Sequence, residues 1–108
     1  MNIEDNLKVI KLIDAYGSLL TSKKFEIMTN YYFDNLSLSE IGDNYGISRQ
    51  AVRDSISQSI KSLQSFEEKL QVIQRQERIQ AELMKISSKY PDMGLKEEIG
   101  KIIEELRG

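Results

Sequence analysis

The side chains best suited to directed contact with a partner lie between residues 48 and 61. They are Ser48, Arg49, Gln50, Arg53, Ser57 and Lys61, spaced so that one helix would turn them toward a common groove. Arg and Gln can read base edges bidentately, and Ser can contact phosphate. These six are the candidate nucleic-acid-binding residues. No comparable set points to catalysis. The chain has no histidine and no cysteine, so it lacks the commonest general base near neutral pH, the commonest zinc ligand and any thiol nucleophile. Its glycines (Gly17, Gly42, Gly46, Gly94, Gly100 and Gly108) are too dispersed to cradle a phosphate. The acidic residues alternate with basic ones at helical spacing, the pattern of a solvated face. The sequence therefore predicts a non-enzymatic protein with no catalytic residue, no metal site and no cofactor.

Charge limits how such a groove could be used. The net charge is −2 over 108 residues, whereas binders of nucleic-acid backbone are usually basic, because phosphate neutralisation supplies much of their affinity. From Thr21 to Leu63 the basic residues Lys23, Lys24, Arg49, Arg53 and Lys61 are balanced by Glu26, Asp34, Glu40, Asp43 and Asp54. Ser48 to Leu63 taken alone has three basic residues and one acidic, a local excess of two. Such a segment docks to phosphate weakly as a monomer, and pairing of two copies would double the footprint.

The elements that must hold these residues are helices. Ser37-Leu38-Ser39-Glu40 matches a capping box. It opens a short helix with Leu38, Ile41 and Tyr45 on its apolar side. Gly42 offers a small residue where a second helix can approach, Gly46 a position that can turn left-handed, and Ile47 a buried residue after the turn. Ser48 caps the next helix, which Val52 anchors against Ile41 and Leu38. Together these predict a helix-turn-helix over about residues 38–60. Upstream, Ile3, Leu7, Ile10, Ile13 and Tyr16 form one helical stripe. Thr21-Ser22 caps a helix to about Asp34, and Asn35 ends it. Tyr31, Tyr32 and Phe33 are consecutive, so they point in different directions and make a poor stacking platform; one or two belong to the core.

Beyond the motif no Pro or Gly interrupts Ser48 to Lys89, so the spacing predicts one long helix or two nearly continuous ones. Its apolar residues Leu63, Phe66, Leu70 and Ile73 step in near-heptad fashion. The seam breaks at Glu77 and Gln80, then resumes in shifted phase through Ile79, Leu83, Ile86 and Tyr90. Leu63, Phe66, Leu70, Ile73, Leu83 and Ile86 are the candidate dimer interface, and the expected partner is a second copy. The competing expectation is that the last helix, Leu95 to Leu106, folds back after the Tyr90-Pro91-Asp92-Met93-Gly94 breaker and covers the seam. The layout is all-α: a helical bundle over 1–63 and a long helical arm with a terminal helix over 64–108. Neither a signal peptide nor a membrane-spanning run is present, which fits the cytoplasm without membrane insertion.

Two stretches carry a family resemblance. Leu20-Thr21-Ser22-Lys23-Lys24 with Asn30 to Ile41, followed by Ile47-Ser48-Arg49-Gln50-Ala51-Val52-Arg53-Asp54, resembles the region-four helix-turn-helix of bacterial sigma factors, which reads promoter −35 elements. The continuation Lys61 to Leu70, with Tyr90-Pro91, is similar to the YlxM-like family of small bacterial helix-turn-helix proteins. The sequence departs from that family's usual pattern in having Gly42 where Ala is common, a mild stability cost, and Arg53 where an aromatic often stands. The resemblance implies a regulatory role in the signal recognition particle pathway, through its GTPase or its RNA, because family members are encoded beside that GTPase. The alternatives are a DNA-binding transcription regulator using the helix that starts at Ser48, and a structural dimer in which the motif only packs.

Overall fold

The computed structural model describes residues 3–91 and 94–107. Among them are six α-helices and no strand: α1 (Ile3–Tyr16), α2 (Ser22–Tyr32), α3 (Leu38–Tyr45), α4 (Arg49–Leu70), α5 (Val72–Lys89) and α6 (Leu95–Arg107). A short 3-10 turn, Gly17–Leu19, follows α1. The chain divides into two compact units, Met1–Leu70 and Gln71–Gly108.

In the first unit α4 packs against α1, α2 and α3. Val9, Ile13 and Tyr16 from α1, Ile27 and Met28 from α2, Ile41 from α3, and Val52, Ile56 and Leu63 from α4 are all buried. Removing such side chains from water stabilises a fold by about 1.5–3 kcal/mol each. Helix ends follow the sequence signals. Thr21 Oγ1 accepts from the Lys24 N–H at 3.3 Å and caps α2. Asn35 takes a left-handed conformation (φ 59°) just beyond that helix. One buried polar atom has no signal in the sequence: the Ser59 hydroxyl, wholly buried on α4, has no hydrogen-bond partner among the described residues. A serine there is small enough to let a neighbouring helix approach, at the cost of a desolvated hydroxyl.

The long apolar pattern resolves into two helices. Gln71 adopts φ 55° and ψ 30°, stopping α4 at Leu70, and its carbonyl accepts the Arg75 N–H at 3.0 Å as α5 begins. Neither Gly nor Pro marks the site, which is why sequence alone left one helix or two open.

The expected dimer seam needs correction at its start. Leu63 is 0% exposed, so it belongs to this chain's own core and offers nothing to a second copy. The Phe66 ring lies 6.1 Å from that of Tyr16, and the Tyr16 hydroxyl donates to Glu67 Oε1 at 2.5 Å. These contacts hold the last turns of α4 to α1 and extend the first unit past residue 63 to Leu70. Leu70 is 48% exposed.

In the second unit α6 folds back on α5. Ile99 is buried, Leu83, Ile103 and Leu106 are half-buried, and Gln76 Nε2 donates to the Leu106 carbonyl at 2.6 Å. Ile73 is also half-buried. The fold-back leaves much apolar surface uncovered: Ile79, Met84, Ile86, Tyr90 and Ile102 remain exposed. Of the breaker before α6, Asp92 and Met93 lie outside the described residues, and Gly94 turns with φ 65°.

Candidate nucleic-acid interface

The motif is assembled by local hydrogen bonds that its residue types dictate. Ser37 Oγ accepts the Glu40 N–H and Glu40 Oε1 accepts the Ser37 N–H, both at 3.1 Å, completing the capping box of α3. At the other end the Gly42 carbonyl accepts from the Gly46 N–H and, at 2.9 Å, from the Ile47 N–H, with Gly46 left-handed at φ 67°. Gly42 itself sits where a Cβ would stand 2.6 Å from the Ile47 carbonyl oxygen. The turn is therefore closed against Gly42 by backbone, which only glycine accommodates without a shift. Ser48 Oγ then accepts the Ala51 N–H at 3.0 Å and caps α4.

A side-chain clamp braces α2 against α3 beneath this turn. The Tyr45 hydroxyl donates to Glu26 Oε2 at 2.8 Å and accepts from Asn30 Nδ2 at 3.4 Å. Lys23 Nζ lies 6.0 Å from the Tyr45 ring centre, at the outer limit of a cation–π contact. Partial burial, then the bond to the Glu26 carboxylate, push the Tyr45 phenol above its ordinary value, opposed by the bond from Asn30. Nothing in the spacing of Glu26, Asn30 and Tyr45 announces this clamp, since they meet only once α2 and α3 cross.

All six candidate binding residues are exposed. Arg49, Arg53, Ser57 and Lys61 follow at successive intervals of four, so they form one row along α4. Neither arginine has an ion-pair partner among the described residues. Ser48 stands apart, its hydroxyl oxygen committed to the cap. Gln50 lies in the adjacent row, where its Nε2 donates to Asp54 Oδ1 at 2.9 Å. Asp54 is thus part of the presented surface and orients a residue of the candidate set. Sequence spacing places the two side chains four apart without showing that they bond. Glu40 and Asp43 on α3 are also exposed, with Glu40 Oε1 committed to the cap of α3. Among the described residues no group of three His, Cys, Asp or Glu could hold a metal ion, and no helix is long and apolar enough to cross a membrane.

Comparison with known proteins matches residues 3–103 to the UPF0122 family model, described as "Putative helix-turn-helix protein, YlxM / p13 like". A UPF0122 protein of Clostridium perfringens is 42% identical over 106 residues, covering 95% of this chain and 93% of its own. One from Bacillus pumilus is 38% identical, covering 98% and 96%. A third, from Fusobacterium nucleatum, is 34% identical, covering 98% and 99%. With nearly its whole length matched, the chain belongs to the UPF0122 family of helix-turn-helix proteins.

Proposed function

We propose that this chain is a non-enzymatic regulatory protein of the signal recognition particle pathway, acting in the cytoplasm by binding the particle's RNA through the exposed face of α4. The observation that carries this reading is the row Arg49-Arg53-Ser57-Lys61, exposed and, at its two arginines, free of ion pairs among the described residues, on a helix whose first turn Ser48 caps. Cations that are not neutralised within their own fold are available to phosphate. The choice of pathway rests on the family resemblance, and the exposed Asp54 beside the row suits a selective contact better than indiscriminate backbone binding.

A DNA-binding transcription regulator is the second reading, favoured by the same face. An α-helix opening with Ser48, Arg49 and Gln50 has the shape and side chains of a recognition helix in a major groove.

Fluorescence anisotropy at physiological salt separates the two. The labelled protein is titrated with the reconstituted particle, its RNA alone, its GTPase alone, and promoter-derived duplex DNA. Saturable binding to the RNA is expected. Arg49→Ala and Arg53→Ala should each weaken it about tenfold and reduce the salt slope by about 1. Binding to duplex DNA alone would replace the first reading by the second. Binding to the GTPase alone, indifferent to both substitutions, would move the contact off α4.

A further inference from the structure

The pair Gln50–Asp54 is at odds with a surface meant only to attract phosphate. A carboxylate in the middle of the basic face of α4 repels backbone, yet it is exposed and fixed by a 2.9 Å bond from Gln50. We infer that the Gln50–Asp54 pair is a base-reading element that accepts a hydrogen bond from the exocyclic amino group of a nucleobase. Approaching from the major-groove (Hoogsteen) edge, it would select adenine or cytosine over guanine, thymine or uracil at one position of the bound nucleic acid. This deepens the proposed function and rests on it.

The chemistry follows from what the bond leaves unused. With Nε2 turned to Asp54 Oδ1, the amide orientation of Gln50 is set, and its Oε1 points away from the carboxylate. Asp54 keeps a second oxygen with no partner among the described residues. The pair thus offers two outward acceptors and one remaining amide N–H. Carboxylates accept from the cytosine N4 amino group, and a Gln amide takes the adenine N6 amino group while donating to N7. Keto bases present an acceptor at the corresponding edge, guanine O6 or thymine and uracil O4, and would meet acceptor with acceptor. The flanking Arg49 and Arg53 supply the attraction that brings the backbone close enough for the acceptors to read. The discrimination holds at the major-groove (Hoogsteen) edge, which duplex DNA displays and which an unpaired RNA-loop base offers when approached from that side; on the Watson–Crick edge guanine and uracil carry N–H donors of their own.

The test uses the full chain against two randomised pools, duplex DNA and structured RNA, followed by anisotropy with the enriched ligand substituted one base at a time. One position is expected at which A or C outbinds G or T/U by about tenfold or more. Asp54→Asn should bring that ratio to within about twofold while raising overall affinity, because the carboxylate's repulsion of phosphate disappears. The melting curve of Asp54→Asn should match that of the parent, since both side chains of the pair are exposed. If Asp54→Asn raises affinity for every base equally and leaves the ratio intact, Asp54 is only an electrostatic brake and the inference falls. If enriched ligands depend on Arg49 and Arg53 yet show no amino preference anywhere, the inference falls while the proposed function stands. Failure to enrich a ligand from either pool overturns both.

Discussion

At the scale of single residues the structure revises what a substitution should cost. The family resemblance makes Gly42 a mild departure from an alanine, worth roughly 1 kcal/mol of helix propensity. The geometry changes the sign of that comparison. An alanine Cβ would press against the Ile47 backbone carbonyl at 2.6 Å, and backbone cannot swing aside as a side-chain tip can. Overpacking costs about 1–3 kcal/mol against that roughly 1 kcal/mol gain, so Gly42→Ala should destabilise by about 0–2 kcal/mol net in urea unfolding followed by circular dichroism. A variant more stable than the parent would mean that the turn relaxes freely. Tyr32 offers a second residue-scale test. Burial, with Tyr31 alongside at a 5.0 Å edge-to-face distance, pushes its phenol up to about 12. The unfolded chain ionises near 10, so between pH 10 and 12 the folded state holds the extra proton. Stability contributed by the neutral phenol is complete below pH 10 and is lost as pH rises through 12. Unfolding midpoints taken from pH 9 to 11.5 should fall less steeply for Tyr32→Phe than for the parent, and parallel curves would reject the assignment.

At the scale of elements, what was legible in the sequence is what short-range chemistry fixes. Ser37 with Glu40, Thr21, Ser48 and Gly46 each act within one turn of themselves, and the helix-turn-helix could be placed from them. The bonds of Tyr45 to Glu26, Tyr16 to Glu67 and Gln50 to Asp54 depend on which faces meet and which rotamers follow. Helical periodicity cannot supply that. Leu63 shows the same limit: its heptad-like spacing suits a partner helix, but α4 spends that face on its own bundle. The break at Gln71 was hidden because glutamine favours helix, and only the left-handed backbone reveals it. That conformation costs a non-glycine residue about 1–2 kcal/mol, while glycine adds roughly 0.5–1 kcal/mol of unfolded-state entropy. Gln71→Gly should therefore be neutral to about 1 kcal/mol stabilising. Gln71→Val, whose branched Cβ resists positive φ, should lower the melting temperature clearly. Equal melting for both variants would mean that the break is not held at φ 55°.

At the scale of the whole molecule, the second unit raises a question of self-sufficiency. Below about 40 residues a fold rarely stands without a disulfide, a metal or a partner. The unit Gln71–Gly108 is of that size. The chain has no cysteine, and its described residues hold no metal-binding cluster. Within this hairpin only Ile99 is a buried apolar side chain among the described residues, while Met84 is 61% and Ile86 45% exposed. A second copy is one device that would cover this surface, and the apolar positions suggest how. Ile79, Leu83, Ile86 and Tyr90 recur at steps of four, three and four along α5, and Ile102 projects from α6, so two hairpins could close into a four-helix arrangement with one continuous core. We expect a homodimer joined through this unit, and the interface to begin beyond Leu63 and Phe66, whose faces are taken within the chain. Light scattering should report twice the 12.5 kDa chain mass at micromolar concentration. Ile86→Lys and Ile79→Lys, each placing a charge on the exposed seam, should shift the population to monomer while leaving the helix-turn-helix folded by circular dichroism. Pairing would also present two copies of the α4 row to one ligand. The monomeric variants should then bind nucleic acid more weakly than the parent, with a salt slope near half, although no residue of the row has changed. A parent chain that stays monomeric at high concentration would reject the dimer.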